Sequence, residues 1–447
     1  MKSKLKIFLI IAAVMSVFHF LPAVKFILSD LAGGSVSKGF GVVWKGIGFF
    51  NAPFAGLSYY VQAHSNYLAL TVSWLLWLAA GFAVYGVAAK KKIFAVVKNV
   101  FFSWLVFFTI LVLLVFVKHP SPHLRTPDGF SKVNFHSHTY YSQDGVCSPG
   151  QNARFHGDSG FDASFITEHN TMSSCEKFSM LSGLPLILPG MQFNAENLSL
   201  LMLGDKKIGD ADILPVKDKT IKEAVKWAHR KGLIVICPHW WKWGKPSWQE
   251  LYDAGVDGFE IYNMNYRDFS DAERGELVKF CRENGLLMAG NTDWKGFGWA
   301  ADVWNVIDVP RAELTPGVLK EYLKKRGPVK VIAYRQSSST GLLRRVFEPF
   351  VGVYLLLAGI GVKQLISWLF WITLGIALSS KKYLVKAVLA MVFLYILFLD
   401  FGFLLAYFGS SGRNDALGEI VLPALGLVTA GWAAILLPML KKGKTPA

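Results

Sequence analysis

Residues 131–145 read SKVNFHSHTYYSQDG. A short apolar run through Val133 and Phe135 predicts a strand over 131–136, and His136 and His138 stand at its end. Two histidines two apart at a strand end project the same way and can hold one cation. Asp144 follows, directly before Gly145, where the chain has to turn. The same arrangement recurs further along. Glu168 and His169 follow the run FIT, His239 follows VICP with Pro238 helping to end that strand, Glu260 lies in DGFEIYN, and Asp293 follows LLMAGNT.

Strands are predicted at 131–136, 161–167, 185–189, 198–203, 233–238, 258–262 and 286–290, with helices at about 149–159, 220–231, 247–254, 271–284 and 315–326. Alternating strands and helices imply an α/β fold with a largely parallel sheet and crossover helices. Seven or so such units in about 200 residues fit a compact, distorted barrel, whose chemistry would gather after the strand C-termini. Four histidines (136, 138, 169 and 239) and two aspartates (144 and 293) fall at such ends. A lone histidine is usually structural, and Glu260 alone is a cap or an ion-pair partner. Six such groups gathered at four strand ends imply one shared centre. His119, His123, His156 and His229 lack this placement and read as structural or solvated.

At these residues the stretch 133–333 resembles the PHP (polymerase and histidinol phosphatase) family of metal-dependent phosphoesterases. The resemblance is carried by His136-x-His138, the turn Ser142–Gly145, Thr167–Glu168–His169–Asn170, Pro238–His239 and Asp293. It implies a distorted (β/α)7-type barrel and a centre of up to three divalent ions, with His136, His138, Asp293, Asp144, His169 and His239 as metal ligands. Several positions depart from the pattern. Gln192 stands where a bridging carboxylate is expected, and Lys295 where a histidine is expected. Glu196 cannot replace the carboxylate, because four residues along a strand span about 13 Å. The resemblance therefore implies fewer than three ions, of Zn, Mn or Fe, with His136, His138 and Asp293 as the best-kept position. Lys295 either supplies the charge of a missing ion or merely pairs with a carboxylate. As implied roles, Lys295 would stabilise developing negative charge, and His239 or His169 would protonate a leaving group. Gln192, Glu260 and Asn263 are the candidates for substrate contact.

Composition sets a different frame around this domain. The 447 residues are 53% hydrophobic and only 17% charged, against about 25% charge in soluble domains. The apolar residues gather in 1–117 and 346–440, dividing the chain into a membrane region at 1–117, a soluble domain at 118–340 and a second membrane region at 341–447. Spans of about 20 apolar residues are expected near 6–28, 67–89, 93–117, 383–408 and 417–440. The stretch 346–378 is one tilted helix or a hairpin of two short ones, and 38–62 reads as interfacial or re-entrant.

The net charge of +16 does not indicate nucleic acid, because its lysines cluster beside apolar stretches, at Lys2, Lys4 and Lys6, at Lys90–Lys92, at Lys381 and Lys382, and at Lys441, Lys442 and Lys444. Such clusters set topology. Placed in the cytoplasm, they leave the soluble domain outside it, with three spans on either side; Arg344 and Arg345 are the one dissent. Expected partners are the lipid bilayer of the cell membrane and a phosphorylated small-molecule or lipid-linked substrate, with the oligomeric state open. Trp240, Trp241, Lys242, Trp243 and Lys245 form a basic aromatic rim that suits an anionic ligand or, on balance, lipid headgroups. Cys147 and Cys175 are free thiols or a disulfide; Cys237 and Cys281 read as core residues. Two functions compete. One is a metal-dependent phosphoester hydrolase, and the other is a pseudoenzyme acting as a metal- or ligand-binding sensor or scaffold. A transporter fits less well, because the spans carry few charges and no internal repeat.

Overall fold

The structure is a computed structural model, and it describes residues 9–15, 17, 27–36, 38–46, 48–62, 67–116, 118–180, 185–213, 219–242, 246–266, 269–298, 300–335, 346–358, 362–378, 382–409 and 421–441. The chain divides into two compact units, one of Met1–Lys25, Gly46–Pro120 and Ser339–Ala447, the other of Phe26–Lys45 and Ser121–Ser338.

The first unit is helical. Its helices are Ala52–Gln62, Tyr67–Ala88, Ile93–Phe116, Glu348–Ala358, Val362–Leu378, Lys382–Gly409 and Leu422–Lys441. Three stretches, Leu70–Ala88, Ile93–Phe116 and Leu384–Leu405, are long and apolar enough to cross a membrane, and Gln364–Leu378 and Leu422–Leu436 are shorter apolar helices. Large apolar side chains line their outer faces, with Val87 82%, Phe94 79% and Leu427 76% exposed. Contiguous apolar surface of this kind is rare on water-soluble monomers. Between helices the few polar groups pair, Trp432 Nε1 donating to Thr109 Oγ1 at 2.8 Å and Thr429 Oγ1 to Asp400 Oδ2 at 2.5 Å.

The stretch 346–378 contains the helices Glu348–Ala358 and Val362–Leu378, with 359–361 between them outside the described residues. Two expectations change here. The segment expected to be interfacial begins instead as a strand, Gly41–Lys45, because its alternating Val42 and Trp44 pair with Leu124 and Pro122. Of the first expected span, most residues lie outside those described, and Ile27 and Leu28 open a strand of the other unit. Arg344, Arg345, Trp243 and Lys245 also lie outside the described residues.

The second unit contains strands β1 (Ile27–Asp30), β2 (Gly41–Lys45), β3 (Ser121–Arg125), β4 (Ser131–Asn134), β5 (Ala163–His169), β6 (Leu186–Ala195), β7 (Leu198–Leu203), β8 (Ile234–Cys237), β9 (Gly258–Asn263), β10 (Leu287–Asn291), β11 (Val303–Ile307) and β12 (Val329–Arg335). Ten form one sheet in the order β1-β12-β11-β4-β5-β6-β7-β8-β9-β10, and β2 and β3 make a separate ribbon. The crossover helices Pro149–Asp158, Ile221–Arg230 and Trp248–Asp253 begin with reciprocal caps, Ser148 with Gln151, Thr220 with Glu223 and Ser247 with Glu250, which satisfy the first free amides.

The sheet is mixed rather than largely parallel. The runs β4-β5-β6 and β8-β9-β10 are parallel, but β7 is antiparallel to both neighbours. The cause is local. Glu196 and Asn197 hold φ of 46° and 67°, the two consecutive left-handed residues of a tight hairpin, so the chain reverses there without a helix. The outer strands β11 and β12 add further antiparallel pairs. Both faces of β7 are buried, which explains its unbroken apolar run: Leu198, Leu200 and Met202 enter one core cluster, Leu201 and Leu203 another.

The sheet curls until β10 approaches β11 and β12. Asn305 of β11 bridges to β10, its Oδ1 accepting from Gly290 N at 2.7 Å and its Nδ2 donating to Gly290 O at 2.8 Å. A Cβ on Gly290 would lie 2.4 Å from Val331 Cγ1 and 2.6 Å from Val303 Cγ2, so glycine permits the approach. Beyond the strand ends a bridge joins Ser137 to Trp294. This brings the histidine segment against the aspartate segment.

Candidate metal centre

The two segments are locked together through their backbones. Asp293 N donates to His136 O at 2.9 Å, His138 N to Trp294 O at 2.8 Å, and Val146 N to Lys295 O at 2.7 Å. Trp294 stacks flat on Phe155 at 4.1 Å and anchors the turn in the core. Asp293 and His239 have φ of 45° and 29°, an uncommon conformation for non-glycine residues that persists where the surroundings over-determine it.

His136, His138 and Asp293 then converge. His136 Nε2 lies 3.0 Å from His138 Nε2, 3.4 Å from Asp293 Oδ1 and 2.9 Å from Gln192 Oε1, and His138 Nε2 lies 3.2 Å from Asp293 Oδ1. Which nitrogens carry protons follows from the groups behind them. Glu260 accepts four hydrogen bonds: His136 Nδ1 (3.2 Å) and Asn291 Nδ2 (2.9 Å) reach Oε1, while His239 N (2.8 Å) and Asn263 Nδ2 (3.0 Å) reach Oε2. A carboxylate with four lone-pair sites is thereby filled, and His136 offers its Nδ1 proton to it.

Ser142 does the same for His138. Its hydroxyl donates to Glu168 Oε2 at 2.5 Å, so its lone pairs receive His169 N at 3.1 Å and His138 Nδ1 at 3.0 Å. With both Nδ1 atoms protonated, both Nε2 atoms present lone pairs. Asp293 Oδ1 is buried and has no hydrogen-bond donor among the described residues. Acceptors therefore face acceptors across about 3 Å, an arrangement that costs free energy unless a cation sits among them.

The electrostatics agree. Burial disfavours charge on His136, yet Asp293 and Glu260 outweigh it and hold its pKa above that of ordinary imidazole. Positive charge, whether proton or metal, is favoured at that point. Burial pushes His138 down to about 4, so its ring is neutral. Burial would raise Asp293, but His136, Lys295 and His138 hold it well below the usual carboxylate range. Two imidazoles, a carboxylate and an amide oxygen suit a borderline divalent ion such as Zn, Mn or Fe.

A second set, His138, Asp144 and His169, also lies close enough to hold an ion. His169 Nε2 is 3.2 Å from Asp144 Oδ1, and its ring stacks on His138 at 4.7 Å. Lys295 intrudes on this set: its Nζ donates to Asp144 Oδ2 at 2.5 Å and lies 3.8 Å from Asp293 Oδ1. Burial would lower Lys295, but Asp293 and Asp144 keep its pKa above the usual lysine value. Burial would raise Asp144, but His169 and Lys295 hold it well down.

The geometry gives some expected residues other posts. Glu260 and Asn263 are fully buried behind the histidines. Asn263 is occupied by Glu260, Asp293, Asn265 and Tyr266, so both side chains are committed to the network behind the histidines. Gln192 sits in the centre itself. His239 is 2% exposed, and Gln192 Nε2 approaches its Nε2 at 3.5 Å. Burial holds its pKa well below ordinary imidazole, which argues against a proton donor there. Ser142, Glu168, Asn291 and Thr139 complete the inner network. Ser142 was legible only as a turn residue four places after His138.

The four cysteines are free thiols, and Cys147 Sγ donates to His138 O at 3.3 Å. Trp241 stacks on Phe269 at 4.3 Å, and Trp240 packs on Trp248 and donates to Pro246 O.

No family model and no curated protein matches this sequence. Among solved structures the chain is similar to PHP-like metal-dependent phosphoesterases. One is a Bifidobacterium adolescentis protein named for a metal-dependent phosphoesterase activity, at 16% identity over 44% of this chain and 96% of that one, with a TM-score of 0.32. Another is a two-domain Bacteroides vulgatus protein containing a PHP-like phosphoesterase, at 19% identity over 51% and 73%, with a TM-score of 0.37. A third is a lesion-specific endonuclease of Pyrococcus furiosus, at 12% identity over 45% and 57%, with a TM-score of 0.35. At such identities the likeness concerns the fold alone.

Proposed function

We propose that this protein is a membrane-anchored, metal-dependent hydrolase of phosphate esters, built on a PHP-like barrel. One observation carries this reading: two imidazole lone pairs and an orphaned carboxylate oxygen meet within 3.0–3.4 Å. His136, His138 and Asp293 would hold the ion, with Gln192 Oε1 beside them. A bound divalent ion supplies Lewis-acid polarisation of a phosphoryl oxygen and a more acidic water. Lys295 then offers its ammonium to the developing negative charge. His169 Nε2 lies 3.2 Å from Asp144 Oδ1, and its buried Nδ1, which has no hydrogen-bond partner among the described residues, would exchange a proton with the leaving group.

The test is direct. Purified protein should contain bound metal, and added Zn, Mn or Fe should stimulate phosphate release from a panel of mono- and diesters. Absence of both metal and stimulation would sink the hydrolase. Bound metal with no turnover on any ester would favour the sensor or scaffold reading, to which the uncharged Gln192 in the centre lends support.

The membrane frame is part of the same proposal. Three helices long and apolar enough to cross a membrane support the anchoring, and the lysine clusters, read as cytoplasmic, support a hydrolase domain outside the cytoplasm. A lipid-linked or surface-polymer phosphate ester is the substrate class such a location supplies. Gly209 is exposed with open space around it, so Gly209→Cys should react with an impermeant maleimide in intact cells. Labelling only after lysis would reverse the topology.

A further inference from the structure

We infer that the Lys295 ammonium is a built-in second cation, which limits the centre to one divalent ion and forms, with that ion, a two-pole seat for an anion. The inference rests on the metal-centre reading above and deepens it.

The structure offers two donor sets that share His138. With Nδ1 protonated against Ser142, His138 has one lone pair and serves one ion. Given to the first position, it leaves Asp144 and His169 at the second. Lys295 Nζ already binds Asp144 at 2.5 Å and lies 3.8 Å from Asp293. Its side chain is only 13% exposed, and its backbone oxygen is held by Val146 N at 2.7 Å. The ammonium is therefore fixed rather than solvated and mobile.

The turn that carries Asp144 is fixed through its backbone. Tyr140 N donates to Cys147 O at 2.8 Å across that turn, and a Cβ on Gly145 would lie 2.2 Å from Thr139 O. A divalent ion entering between Asp144 and His169 would meet a positive charge already bound there, and close like charges repel even where, as here, the carboxylate is 36% exposed. Asp144 is the one hydrogen-bond acceptor of Lys295 among the described residues. Lysine has three N–H donors, which leaves N–H groups for an anion. A phosphoryl group could thus direct one oxygen to the metal ion and another to Lys295.

Metal stoichiometry and affinity of the full chain in detergent, loaded with Mn or Zn alone, test this. The wild type should bind one ion. Lys295→His, which removes the ammonium and adds a third donor beside Asp144 and His169, should bind two. Lys295→Met, which removes charge and adds no ligand, should bind its single ion at least tenfold more tightly, while its affinity for inorganic phosphate in the metal-loaded state falls at least tenfold. One ion in Lys295→His, or weaker first-ion binding in Lys295→Met, overturns the inference and leaves the hydrolase standing. A wild type with two ions overturns it as well. A wild type that binds no ion overturns the metal centre itself.

Discussion

Asp293→Asn should empty the metal centre and abolish phosphate release while leaving the fold intact. The exchange replaces one oxygen by nitrogen and removes one charge. A divalent ion and a carboxylate about 4 Å apart interact by about 8 kcal/mol at an effective dielectric constant of ~20. Hydration of the released ion recovers much of this. About 4 kcal/mol remains, or roughly 10³-fold in affinity. Folding should not suffer, because Asp293 Oδ1 has no donor to lose among the described residues, and asparagine accepts a φ of 45° readily. The backbone bond from residue 293 to His136 O also survives the exchange. Elemental analysis and melting curves with and without chelator check both halves. The metal-free variant should melt at or above metal-free wild type. A variant that retains one ion would show that Asp293 is not a ligand.

The second large effect is expected at His169. His169→Gln should lower kcat by about 10²- to 10⁴-fold, the usual worth of a positioned proton donor, with metal content unchanged. The predicted dissociation of the two readouts follows from placement. His169 lies outside the set His136, His138 and Asp293, and its link to Ser142 runs through its backbone amide, so the variant leaves the tautomer of His138 alone. Glutamine can still donate to Asp144. Measured turnover on a metal-stimulated ester, with metal content on the same sample, decides the matter. Unchanged kcat would assign the proton transfer to another group, and lost metal would make His169 a ligand.

Much of this centre was legible in the chain itself. His136 and His138, two apart after an apolar run, had to point the same way. Asp293 stood out as a carboxylate directly after the run LLMAGNT. The crossover helices stood out as amphipathic runs near 149–159, 220–231 and 247–254. The reversal at Glu196–Asn197 was less visible, because an apolar run reads alike in parallel and antiparallel strands. Strand β2 was hidden because glycines and aromatics beside a lysine resemble a membrane interface as much as a ribbon.

Glu260 and Lys295 show where a linear reading ends. The sequence left Lys295 between replacing an ion's charge and pairing with a carboxylate, and it could not name the partner of either residue. Their roles depend on neighbours more than 100 positions away: Glu260 with His136, and Lys295 with Asp144. The sequence by itself determined the apolar helices, the strand ends and the identities of the candidate metal-binding groups, since these follow from local periodicity and side-chain chemistry. Only the tertiary structure decided which groups stand behind His136 and His138, and that the lysine lies between two aspartates. Proton positions and charge pairing depend on donors that the curled sheet brings together across its two ends.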